Sequence, residues 1–380
     1  MKKRTLAILR ALVLSVALLA GCGKTATAPT ATPEPVAEAT ETPESTAEPA
    51  ATPETREFTD SCGRTVTVPY EITKIAVSGP LTQLYVLPLC PEMMVGFASE
   101  FSEDAALYVR QEYLDLPKLG QLYGGKGTMD LEALLAAAPD VVVDVGEAKG
   151  SIVEDMDALT EQTGIPFVHI DATVTTAPDA YRLLGELTGK TEKAAELADW
   201  CENTYADITA VMAEVDADGA RRTILYCLGD KGINVIAEGS YHAETVNTLG
   251  ENVAILSDVA SSGMGNEVDL EQIMLWDPEV ILFAHDSVYA TVGEDAAWQQ
   301  VTAIKTGCYY QTPDGPYGWI SSPPSVQCYL GMLWMGALLY PDYVDYDLQT
   351  EITEYYRLFY DCDLTPEMYA DLTEGAFPAD

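Results

Sequence analysis

Two stretches of the chain carry the same order of apolar and polar positions. Residues 130–143 read DLEALLAAAPDVVV and residues 269–282 read DLEQIMLWDPEVIL, at a constant offset of 139 residues. In each, an acid precedes a short run with helical spacing, a proline stops that run, and a second acid leads into an apolar segment. Asp130 and Asp269 are placed as N-caps, because a short carboxylate accepts from the first free backbone N–H groups. Pro139 and Pro278 cannot continue a helix. Val141 to Val143 and Val280 to Leu282 then read as strands buried on both faces. A duplication on this scale predicts two similar halves.

The surroundings fit alternating strands and helices. Lys74 to Val77 predicts a first strand that enters a loop at Ser78-Gly79-Pro80. Phe167 to Ile170 predicts another, and Thr223 to Tyr226 opens the second half in the same manner. Between the halves, residues 191–215 contain neither Gly nor Pro. Ala194, Leu197, Ala198, Cys201, Tyr205, Ile208 and Met212 fall near helical spacing. One helix of about 25 residues, about 37 Å long, is expected there. The predicted fold is therefore α/β, with two Rossmann-like lobes joined by a single long helix. The expected boundaries are 57–189 for the first lobe, 190–216 for the helix and 217–380 for the second lobe. The last lobe ends in an acidic, Tyr-rich, helical tail from Asp342, to which the sequence assigns no function. A stiff connector predicts little movement between lobes.

The chain begins with Lys2, Lys3 and Arg4, then an apolar run from Leu6 to Leu19 broken by Arg10 and Ser15, then Leu19-Ala20-Gly21-Cys22. Residues 1–22 read as a secretory signal, too short and too interrupted to span a membrane. Residues 23–56 are Pro, Thr, Ala and Glu with almost nothing to bury, which predicts a disordered tether. The formal net charge is −40, from 20 basic and 60 acidic residues. Nucleic acid is excluded as a partner for such a surface. Seven cysteines besides Cys22 match no zinc spacing, and buried free thiols are expected.

Leu19 to Cys22 resembles the bacterial lipoprotein signal, which implies that the Cys22 thiol is acylated after export. The two lobes and their connecting helix resemble a family of binding proteins that serve importers of ferric siderophores, haem and cobalamin. The resemblance runs over about residues 58–345. FTDSCGRTVTVP (58–69) looks like the family's two-strand lead-in, followed by the DLE…PDVVV segment and HIDAT (169–173). LGENVA (249–254) resembles its Gly-Gly-x-Asn turn, with Glu251 in the second Gly place. Residues 316–326 and Leu338-Leu339-Tyr340-Pro341 look like its C-terminal segment. The resemblance implies a lipid-anchored, extracytoplasmic, monomeric carrier without a cofactor, not an enzyme. It would deliver an iron chelate or a corrinoid to an ABC permease dimer with its ATPase. It also implies that Glu132 and Glu271, at the third position of each repeat, dock into Arg pockets of that permease.

By the same resemblance, ligand lies between the lobes on loops that follow strand ends. The candidates are Tyr123 and Lys126 in a Gly-rich loop, Ser240, Tyr241 and His242, and Tyr317 and Trp319. The remaining candidate loops are residues 78–81, 98–101, 231–232 and 263–266. Aromatic faces suit a macrocycle or catecholate, and Lys126 would neutralise an anionic chelate. His169 alternates within a strand and is expected in the core or at a sheet edge. His242 or His285 is a candidate axial metal ligand, as in a nickel complex. A bare-metal receptor and a surface hydrolase are the rival classes. The chain has no Gly-x-Ser-x-Gly, Walker or His-Glu-x-x-His motif.

Overall fold

Residues 54–123, 128–321 and 323–378 are described by a computed structural model, the Glu103 side chain excepted. The signal, most of the tether, Cys22 and Lys126 lie outside the described residues. A hairpin opens the fold: β1 (Thr55–Thr59) pairs antiparallel with β2 (Thr65–Pro69). It is pinned to the first lobe because Ser61 N–H donates to the His169 carbonyl (3.0 Å) and Arg64 Nη2 to that of Phe167 (2.5 Å).

The first sheet is parallel, in the order β3 (Ile75–Val77), β4 (Val141–Gly146), β5 (Phe167–Asp171). Around it run α1 (Pro80–Leu89), the one-turn α2 (Gln111–Leu114), α3 (Leu131–Ala137), α4 (Ile152–Thr163) and α5 (Ala177–Thr188). The second lobe contains β6 (Thr223–Leu228), β7 (Asn234–Val235), β8 (Glu251–Asn252), β9 (Asn266–Glu267), β10 (Val280–Phe283) and β11 (Tyr309–Gln311). Its sheet runs β11-β10-β6-β7-β9, with β8 also on β6. The pairs β11–β10, β10–β6 and β6–β8 are parallel; β7 is antiparallel to both neighbours. The duplicated strands β4 and β10 hold the same place, each between the first and the last parallel strand of its lobe.

The repeat extends to the caps. Asp130 accepts from Ala133 N–H (3.0 Å), and Asp269 from Gln272 N–H (2.8 Å) at the start of α8 (Leu270–Trp276). α3 ends at Ala138 (φ 46°) and α8 at Asp277 (φ 43°), both left-handed and both followed by proline. A left-handed residue turns the chain away from the helix axis, and the proline then leads it into the strand. Leu134 and Ile273 are the fully buried residues that hold these helices down.

The lobes are joined by α6 (Thr191–Ala217), slightly longer than the expected helix. Remaining helices are α7 (Glu244–Leu249), the short α9 (Tyr289–Val292) and α10 (Thr302–Thr306), α11 (Cys328–Leu339), α12 (Leu348–Tyr360) and α13 (Pro366–Leu372). Side chains alternate across each strand. Val141, Val143 and Val145 of β4 face an inner core, as do Ile224 and Tyr226 of β6 and Val280 and Leu282 of β10. Val142 faces a separate outer core on the first lobe; Leu225, Ile281 and Phe283 face another on the second. The inner core is one cluster shared by both lobes, filled by α6, α11 and α12.

The tail departs from the sequence expectation. It was assigned to the second lobe, yet α12 packs on α1 of the first lobe as well as on α11. Phe359 lies 6.2 Å from the Tyr181 ring of α5, 5.3 Å from Trp200 of α6, and stacks on Tyr355 at 4.2 Å. The described residues accordingly form one compact unit. All seven described cysteines are free, Cys90, Cys201, Cys227 and Cys328 of them buried. Among the described residues, no helix is long and apolar enough to cross a membrane.

Candidate functional site

β3 ends at Val77, and the chain turns through Ser78 and Gly79 into α1. Gly79 is an extended N-cap without a side-chain capping bond, and Pro80 stands in the first turn. The first N–H groups of a helix have no partner inside it and carry partial positive charge. This end of α1 opens on a cavity of about 250 Å³, lined by Ser78, Thr82, Tyr123, Asp144, Lys149 and Tyr241, among others. Tyr241 and Pro323 belong to the second lobe, so the cavity lies between lobes. A larger hollow of about 1040 Å³, which includes the candidate Lys231, is lined only by second-lobe residues. The inter-lobe cavity is the candidate site, because both halves build it and a helix end opens on it.

Its floor is a polar network inside an apolar sheet. Asp144 breaks the valine run of β4 and is almost wholly buried. Ser78 Oγ donates to its carboxylate, and His169 Nδ1 lies 2.7 Å from the other oxygen. Thr82 Oγ1 accepts from Val145 N–H (2.8 Å) and bonds Ser78 Oγ (3.1 Å). A buried carboxylate survives only when it is this well bonded. His169 is fully buried, in line with its expected core position, and its Nε2 has no partner among the described residues. At the rim, Glu147 and Lys149 pair at 3.1 Å.

The second lobe reaches across. Tyr241 Oη donates to the Ala172 carbonyl (2.9 Å), and the Glu244 carboxylate accepts from Val174 N–H (3.0 Å) and Thr175 N–H (3.3 Å). Tyr329 Oη donates to the Val174 carbonyl. Burial raises the Glu244 pKa, while those two backbone bonds lower it.

The sequence candidates therefore divide. Tyr123 and Tyr241 line the cavity. Tyr123 Oη donates to Asp155 (2.9 Å), and burial with that bond pushes its pKa up. Ser240 accepts from His242 N–H (3.2 Å), a local cap. His242 is half-buried beside it, and its Nδ1 lies 3.2 Å from the Ser321 carbonyl. Tyr317 bonds Gln83 and packs on Phe101 at 5.7 Å, joining the lobes through α1. Trp319 is a correction: its side chain is fully buried and offers no face to a ligand. A large aromatic next to a surface loop gains more from the core than from water. His285 is exposed at the end of β10, beside Gln311 (3.3 Å). Asp144, Glu147 and Lys149 were missed; the acid inside an otherwise apolar strand was the available signal. Glu132 and Glu271 are exposed on the first turns of α3 and α8.

Burial lowers the His242 pKa; the Ser321 carbonyl opposes this, Lys149 adds to it and Glu147 opposes it. A depressed histidine binds fewer protons when folded than when unfolded. Its contribution to stability is complete above the ordinary histidine value of about 6.5 and is lost as pH falls through its lower folded value. Denaturant unfolding at pH 7.5 and 5.5 is expected to show a loss on acidification that His242→Gln reduces. An equal loss in the variant would exclude His242 as its source.

The chain matches the periplasmic binding protein family over residues 100–316, more than half its length. No curated protein matches it. An ABC transporter solute-binding protein of Sulfurospirillum deleyianum is 26% identical, with TM-score 0.77, over 84% of this chain and 99% of that one. A molybdate periplasmic binding protein of Haemophilus influenzae, solved with molybdate bound, is 22% identical, with TM-score 0.66, over 82% and 99%. Helicobacter pylori CeuE, solved as a nickel–histidine complex, is 15% identical, with TM-score 0.60, over 83% and 98%. Proteins of this kind act outside the cytoplasm, work with a permease and an ATPase, and are not enzymes. This chain belongs to the periplasmic binding protein family and is the substrate-binding component of an ABC importer.

Proposed function

We propose that the chain is a lipoprotein, anchored through Cys22, that captures a metal complex in the inter-lobe cavity and delivers it to the permease. An iron chelate with a compact anionic head is the favoured ligand. The single observation behind this reading is the uncapped start of α1, which faces the cavity together with Lys149. Helix N–H groups and an ammonium favour anionic oxygens. Tyr123 and Tyr241 add flat apolar surface at the wall. A cavity of about 250 Å³ is below the usual range for drug-sized ligands. It suits a small siderophore head, whereas most of a haem or cobalamin would remain outside. A nickel chelate fits the same description.

A second reading, a bare oxyanion such as molybdate, is favoured by the same helix end. Against it, Asp144 and Glu147 line the same cavity with Lys149, which makes a doubly charged anion costly to desolvate. Calorimetric titration with ferric siderophores, haem, cobalamin, nickel–histidine and molybdate separates the readings. A ferric chelate is expected to bind at about micromolar or tighter. Lys149→Ala is expected to weaken it about tenfold, the worth of one charged hydrogen bond. Binding of molybdate alone would overturn the chelate reading.

A further inference from the structure

The duplicated helices carry more than a charge. Leu275 on α8 is 80% exposed, more than any other large hydrophobic side chain among the described residues. It follows Glu271 by four positions, so the two share a helix face. Leu135 on α3 is 50% exposed and follows Glu132 by three positions, again on one face. The leucines are not equivalent under the repeat. The offset of 139 takes Leu135 to Met274, which packs on the outer core, and Leu275 to Ala136. Each helix has nevertheless placed a leucine within one turn of its glutamate.

A lone exposed leucine needs no explanation. Seven large hydrophobic side chains are exposed among the described residues, and two of them fall here. Neither packs on any core cluster. Leu134 and Ile273 already hold the two helices to their lobes, so the exposed leucines are not needed as core anchors.

We propose that Leu135 and Leu275 are the apolar anchors of the permease-docking surface, one on each lobe. This rests on the reading of Glu132 and Glu271 as docking residues. The occupant is the permease dimer, each half offering a basic group to the glutamate and an apolar socket to the leucine. An ion pair left in water contributes little. A buried apolar contact beside it excludes water and strengthens it. The glutamates steer the encounter, and the leucines slow its dissociation. A lipid surface is the poorer partner, because a chain of net charge −40 is repelled by anionic headgroups.

The test is binding of the ligand-free, full-length protein to its cognate permease–ATPase complex in nanodiscs, followed by interferometry. Leu135→Ser with Leu275→Ser is expected to weaken binding about tenfold, mainly through faster dissociation, while the variant stays folded with a melting temperature within about 2 °C of the parent. Unchanged binding, while Glu132→Arg with Glu271→Arg abolishes it, would overturn the anchors and leave the docking role standing. Unchanged binding in both double variants would remove the docking role itself. An equal loss on empty nanodiscs would assign the leucines to lipid and overturn the proposal.

Discussion

Cells that carry Glu132→Arg together with Glu271→Arg are expected to lose uptake, while the purified variant keeps its ligand affinity. Both side chains are exposed on the first turns of α3 and α8, outside the inter-lobe cavity and outside every core cluster. Folding and capture should therefore be untouched. If each glutamate meets an arginine on the permease, reversal replaces an attraction with a repulsion. Losing one desolvated charge pair costs about 2 kcal/mol or more, a factor of about 30 at each site. The two sites together would take uptake below detection. The caps explain why the geometry is reproducible: Asp130 and Asp269 fix the first turn of each helix through near-identical bonds. Labelled-ligand uptake and calorimetry are the two readouts. Normal uptake by the variant would end the docking proposal.

Phe359→Ala is expected to produce the largest loss of stability of any single change to the tail. Phe359 is buried where the first lobe, the connecting helix and the tail meet, against Tyr181, Trp200 and Tyr355. Removing a buried phenyl ring costs about 3–5 kcal/mol, which lowers the melting temperature by roughly 4–7 °C in a chain of this size. Deleting the chain from Asp342 onward would remove Tyr355, Tyr356 and Tyr360 as well, and the remainder is expected not to fold. Differential scanning calorimetry of Phe359→Ala, with soluble yield of the truncation, checks both. An unchanged melting temperature would mean that α12 only rests on the body.

The two-lobe plan was legible because its signals are local. A carboxylate cap, a short helix, a proline and a β-branched run occur within 14 residues, twice, and they fold nearly alike. The long helix was legible for the same reason, as an unbroken stretch without Gly or Pro. The tail's partners were not. Ile352, Tyr355, Tyr356, Phe359 and Tyr360 show helical spacing, but spacing tells which face is buried and not what buries it. Trp319 failed in the opposite direction. A Pro- and Gly-rich segment with aromatics looked like cavity wall, and only the folded chain shows the ring beneath the loop. The floor of the site depends on contacts between Ser78, Asp144 and His169, which lie far apart in sequence. Asp144 inside VVVDVG was the one local hint of it.

A receptor whose halves swing together announces capture by a change of outline. Here the same buried aromatics serve both halves, and Trp200 touches Tyr329, Tyr355 and Phe359 at once. Prying the halves apart would bring that shared interior into water. An importer that meets this protein is therefore left to distinguish full from empty by what it feels at the mouth of the cavity.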